Sequence, residues 1–136
     1  MNYKFIDLQC KVLSVLAFTP ECKFSEKELE YYNQILYSSS LSDKEIKYLL
    51  KYTKAPPSYK NLLIELAKIP KQISFLILKN AYLISRISEG VQDDQKKILK
   101  EIAHVIKIPK NRFIEVEQIF KYTYKLYKLE DKLLNN

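Results

Sequence analysis

"ILKNAYLISRISEGVQDDQKKILKEIAHVIKIPKNRF", residues 77–113, decides the fold class. Apolar residues recur at helical spacing on both sides of Gly90, the single glycine of the 136-residue chain. Before it stand Ile73, Leu76, Ile77, Ala81 and Ile84; after it stand Ile98, Leu99, Ile102, Ala103 and Ile106. Glycine takes a left-handed backbone without a Cβ clash, so Gly90 reads as the residue that ends the first helix. Asp93 and Asp94 follow, where the partial positive charge of a helix N-terminus favours carboxylates. "IPKN" at 108–111 then breaks the second helix.

The same punctuation recurs outward from this stretch. The spacing of Ile6, Cys10, Leu13 and Ala17 predicts a first helix over Tyr3–Phe18, closed by Pro20. "SEKE" at 25–28 and "SDKE" at 42–45 are capping boxes, in which Ser25 and Ser42 cap while Glu28 and Glu45 reach back. The helix opened at Ser25 runs through Leu36 and points Leu29, Tyr32 and Ile35 or Leu36 inward; the next carries Ile46, Leu49, Leu50 and Thr53. "APPS" at 55–58 is a break with Ser58 as the next cap, and Pro70 reads as the first residue of the helix after that. A last helix spans Arg112–Leu134, with a bend near Thr123. The expected fold is all-α, a single domain over residues 1–136 with about seven helices.

Composition agrees. One Gly and five Pro are too few for the turns of a β-rich fold, and 47% hydrophobic with 29% charged residues is globular. The N-terminal segment breaks its apolar run with Asp7, Gln9 and Lys11, so it reads neither as a cleavable signal nor as a membrane span. The expected location is cytoplasmic, with Cys10 and Cys22 as reduced thiols. The net charge of +7 is uneven: residues 44–72 carry seven Lys against two Glu, and residues 107–136 carry seven basic against four acidic residues. Such a field attracts acidic partners, nucleic acid or an anionic membrane surface.

The two halves of the chain also match each other. "LSVLAFTPE" (13–21) has the apolar period of "AYLISRISE" (81–89), and "LSDKEI" (41–46) aligns with "IPKNRF" (108–113). The alignment predicts two pseudo-repeated halves, about 3–57 and 58–120, with a C-terminal helical extension over 121–136. With the repeat in view, "LAFTPECKFSEKELEYYNQIL" (16–36) and the 77–113 stretch resemble the two copies of the TerB-like (tellurite-resistance B) motif, an apolar helix, an acidic Asp-Gly loop and an acidic helix start. The resemblance covers roughly residues 5–120. It puts Glu21 and Glu89 at the family's Asp, Cys22 and Gly90 at its Gly, Glu28 at the late acid of the first copy, and Gln95 or Lys96 at that of the second. It implies a non-enzymatic interaction or scaffold module of a stress-response or membrane-associated assembly.

Four candidate sites follow. Glu21, Glu28, Glu89, Asp93 and Asp94 could converge on a divalent cation, Ca²⁺ or Mg²⁺, although such acids also serve helix starts. The expectation is no cofactor, with the cation as the lesser alternative. On the last helix Lys121, Lys125, Lys128 and Lys132 form a stripe beside Tyr122, Tyr124 and Tyr127 that suits nucleic acid or an anionic membrane surface. Along the same helix Ile119, Tyr122, Leu126, Leu129 and Leu133 form an apolar stripe that must be buried, first against its own bundle and otherwise against a protein partner or a homodimer. For catalysis, His104 and Cys22 lack a partner in the sequence, so no enzyme is expected.

Overall fold

In the computed structural model, residues 2–87 and 93–135 are described, Pro20 and Glu21 by their backbone alone. Helix α1 (Tyr3–Glu21) is central: from Leu8 to Ala17 every residue is buried except Lys11, which is half-buried. Gln9, Lys11 and Ser14 are its only polar residues there, too few for a solvent-facing side, so the helix is enclosed nearly all round. Around it stand α2 (Glu26–Ser38), α3 (Asp43–Leu49), a 3-10 turn (Leu50–Thr53), α4 (Tyr59–Leu66), α5 (Lys71–Arg86), α6 (Asp93–Val105) and α7 (Lys110–Asn135). The described residues contain seven α-helices and no strand. α1 packs most extensively on α5, and α5 in turn supports α6 and α7.

Local chemistry accounts for the helix starts. Both capping boxes form: the N–H groups of Ser25 and Ser42 donate to Glu28 and Glu45 at 2.7 and 2.9 Å, and the serine hydroxyls accept in return. Ser58 accepts from the N–H of Asn61 at 3.3 Å and opens α4. Pro70 stands one position earlier than expected, as the extended residue preceding α5, with φ −59° and ψ 144°. Its fixed φ suits either position, but its ψ is that of a cap.

The inward faces differ in places from the sequence reading. Leu29 is exposed, and Tyr31, Tyr32 and Leu36 fill the inner side of α2; Tyr52 is buried on the 3-10 turn. Pro20 does not end α1, which continues to Glu21. Proline cannot donate the i+4 hydrogen bond to the carbonyl of Leu16. The side-chain amide of Gln95, buried on α6, donates to that carbonyl at 3.0 Å instead. The left-handed residue after α1 is Cys22, with φ 57°. A second stands after α6, Lys107 at φ 67°. There the N–H of Ile108 donates to Ala103 and that of Lys107 to His104, a complete Schellman closure without glycine. Gly90, read as the third such turn, lies outside the described residues.

Candidate interaction surface

Helix α7 is a single unbroken helix through Thr123, and its two long faces have different fates. Phe120 is its one buried residue, with ring centroids 5.6 Å from Phe75 and 5.3 Å from Tyr82 on α5. Phe113, Val116, Tyr124 and Tyr127 flank it as half-buried contacts, and Tyr127 meets Tyr31 of α2 edge to face at 5.8 Å. These residues share one face at helical spacing. The expected apolar stripe is on the other. Ile119 is 49% exposed, Tyr122 66%, Leu126 59%, Leu129 57% and Leu133 79%. The helix docks on its own bundle, but the stripe does not. The expectation that the stripe is buried in the bundle is therefore corrected: Phe120 and its neighbours fill the contact with α5, and the second apolar face is left outside.

Lys121, Lys125, Lys128 and Lys132 are all exposed and lie between those two faces. Lys125 Nζ sits 5.6 Å from the Tyr122 ring, and Lys128 Nζ 5.5 Å from that of Tyr124. Tyr124 is half-buried rather than free, since its other contact is the guanidinium of Arg86 at 5.2 Å.

Arg86 belongs to a site that the sequence reading missed. Its guanidinium lies between the rings of Tyr82 and Tyr124 and donates to the Tyr82 hydroxyl at 2.7 Å, while its buried Nε has no hydrogen-bond partner. With Lys96, Lys100 and Lys121 it lines a cleft of about 330 Å³ between α5, α6 and α7, against one acid, Glu117. Helical period puts Lys96 and Lys100 on one side of α6, but only the packing of α7 brings Lys121 to them.

The acidic candidates are dispersed in role. Glu28 is buried and its carboxylate serves the α2 capping box. Asp93 and Asp94 are exposed in the first turn of α6, where the dipole favours them. The side chain of Glu21 and the whole of Glu89 lie outside what is described. Among the described residues no three His, Cys, Asp or Glu side chains gather as metal ligands. His104 is exposed on α6 beside an apolar groove formed with Ile108, Phe113 and Ile114, and Cys22 is exposed after α1. Cys10 is buried, and desolvation pushes its thiol up to about 12. Set against family models, curated proteins and solved structures, the chain matches none. No helix among the described residues is long and apolar enough to cross a membrane.

Proposed function

We propose that the chain is a non-enzymatic, TerB-like interaction module of two related halves, a cytoplasmic scaffold in a stress-response or membrane-associated assembly that binds through the outer face of α7. The observation that carries this reading is the exposure of Ile119, Tyr122, Leu126, Leu129 and Leu133 on a helix already anchored by its opposite side. Contiguous apolar surface on a soluble fold is a cost unless something covers it. The repeat is supported by α1 and α5, its two matching helices, lying against each other at the centre. A divalent cation has no part in this reading.

The test is a photo-activatable cross-linker placed at Leu129 in cells, with Lys4 (exposed on α1) as control position. Protein adducts at 129 that vanish with Leu126→Asp are expected. Adducts no more abundant than at position 4 would refute the reading.

A second reading is favoured by the Arg86 cleft: four cations, Arg86, Lys96, Lys100 and Lys121, against the one acid Glu117 suit a phosphate-bearing polyanion, nucleic acid or an anionic membrane surface. Single-stranded DNA or acidic vesicles should then bind in a salt-dependent way. Lys96→Glu with Lys100→Glu should abolish that binding, and binding indifferent to both salt and substitution would rule the cleft out.

A further inference from the structure

The spacing of the exposed stripe on α7 alternates three and four residues, 119, 122, 126, 129, 133. That is the a/d pattern of a heptad repeat, with Ile119, Leu126 and Leu133 at a and Tyr122 and Leu129 at d. The bundle occupies other positions: Phe120 and Tyr127 fall at b, Tyr124 at f, and these are the residues that touch α2 and α5 or Arg86. The seam therefore points away from the chain's own core, and a second helix can lie along it without displacing a native contact. We propose that the occupant of this face is a second copy of the same chain, joined through a parallel two-stranded coiled coil over residues 119–133. The proposal rests on the interaction reading of the same face.

Charge beside the seam identifies the partner and its direction. Lys125 falls at g and Glu130 at the following e, both exposed. In a parallel pair the g residue of one helix faces the e residue of the next heptad on the other. Lys125 then meets Glu130 of the second copy, twice by symmetry. The preceding g and e positions hold Gln118 and Thr123, a neutral pair. In an antiparallel pair g faces g, which would oppose Lys125 and Lys132, like charges at the seam. Lys125 already leans over the Tyr122 ring at the d position, close to where such a pair forms. Fifteen residues make a contact of about 22 Å at 1.5 Å per residue. Stable coiled coils sustain about three to four heptads, so this pair dissociates on dilution.

Sedimentation velocity of the full chain over a wide concentration range tests the proposal. Its apparent mass should rise from 16.2 kDa towards twice that value. Leu126→Asp should hold it monomeric with unchanged helicity and, at dilutions where the parent is itself monomeric, an unchanged melting temperature, because the side chain is exposed in the single chain. Lys125→Glu should weaken association roughly tenfold, two exposed pairs having turned from attraction to repulsion. Adding Glu130→Lys to that variant should restore it. Strengthening by Lys125→Glu alone would overturn the parallel arrangement, and a dimer indifferent to Leu126→Asp would place the contact elsewhere. A monomer at every concentration overturns the self-pairing; if position 129 still cross-links to protein of another mass in cells, the interaction reading survives without it, and if it does not, both fall.

Discussion

Pro20 can sit inside α1 because the bond it cannot make is supplied from elsewhere. The carbonyl of Leu16 lacks its i+4 donor, and Gln95 provides one from 79 residues away. In the sequence Pro20 reads as a stop, since nothing near it hints at a replacement donor. The buried Gln95 amide ties α6 to α1. Gln95→Leu should lower stability by about 1–3 kcal/mol, the cost of a buried acceptor without a donor. With Pro20→Ala, which returns the backbone N–H, urea melts should show a clearly smaller loss for the same change; equal losses in both backgrounds would refute the account. The left-handed turns follow similar logic. Lys107 and Cys22 hold φ values that favour glycine. Lys107→Gly should raise stability by about 0.5–1 kcal/mol in the same assay, relief of the Cβ clash being partly offset by the freer unfolded chain.

At the scale of elements, helix number and order were legible because caps and prolines punctuate the chain, and both capping boxes formed where Ser25 and Ser42 predict them. Which face of a helix turns inward was less so. α7 carries two apolar rows, and periodicity gives the rows without saying which meets α5. Phe120 decides it: its ring lies against both Phe75 and Tyr82 and is fully buried, whereas Tyr122 of the other row stays exposed. The Arg86 cleft was illegible for a related reason, because its cations come from three helices whose packing no local pattern encodes. The two rows should respond differently to truncation. Phe120→Ala should cost about 3–5 kcal/mol, as large buried aromatic deletions do. Leu126→Asp on the exposed row should stay within about 0.5 kcal/mol at dilutions where the chain is monomeric. Chemical denaturation of both variants checks the contrast, and comparable losses would mean that the outer row is packed.

For the whole molecule, the eleven tyrosines matter more than composition alone conveys. Read from sequence, three of them accompany the lysines of the last helix; in the fold several of the others act as hydrogen-bonded ties between elements. Tyr32 donates to the Leu49 carbonyl at 2.5 Å, Tyr52 to Asp7 at 2.9 Å, Tyr59 to Glu101 at 3.0 Å and Tyr31 to Asn80 at 3.3 Å. Each tie needs the neutral phenol. Burial pushes all four hydroxyls above their ordinary 10.0, with the carboxylates of Asp7 and Glu101 adding to the rise at Tyr52 and Tyr59. Cys10 is raised from 9.0 to about 12 by the same desolvation. For groups of this kind the folded state holds its protons where the unfolded chain has released them. Their stabilisation is complete below the unfolded values and is lost as pH climbs from about 9 through 12. The melting temperature should therefore fall steeply above about pH 10, after a plateau below 9. Tyr52→Phe should lower that plateau, since Asp7 loses a donor, and make the alkaline decline shallower, since one raised phenol is gone. A decline as steep in the variant as in the parent would show that Tyr52 holds no proton against the rising pH.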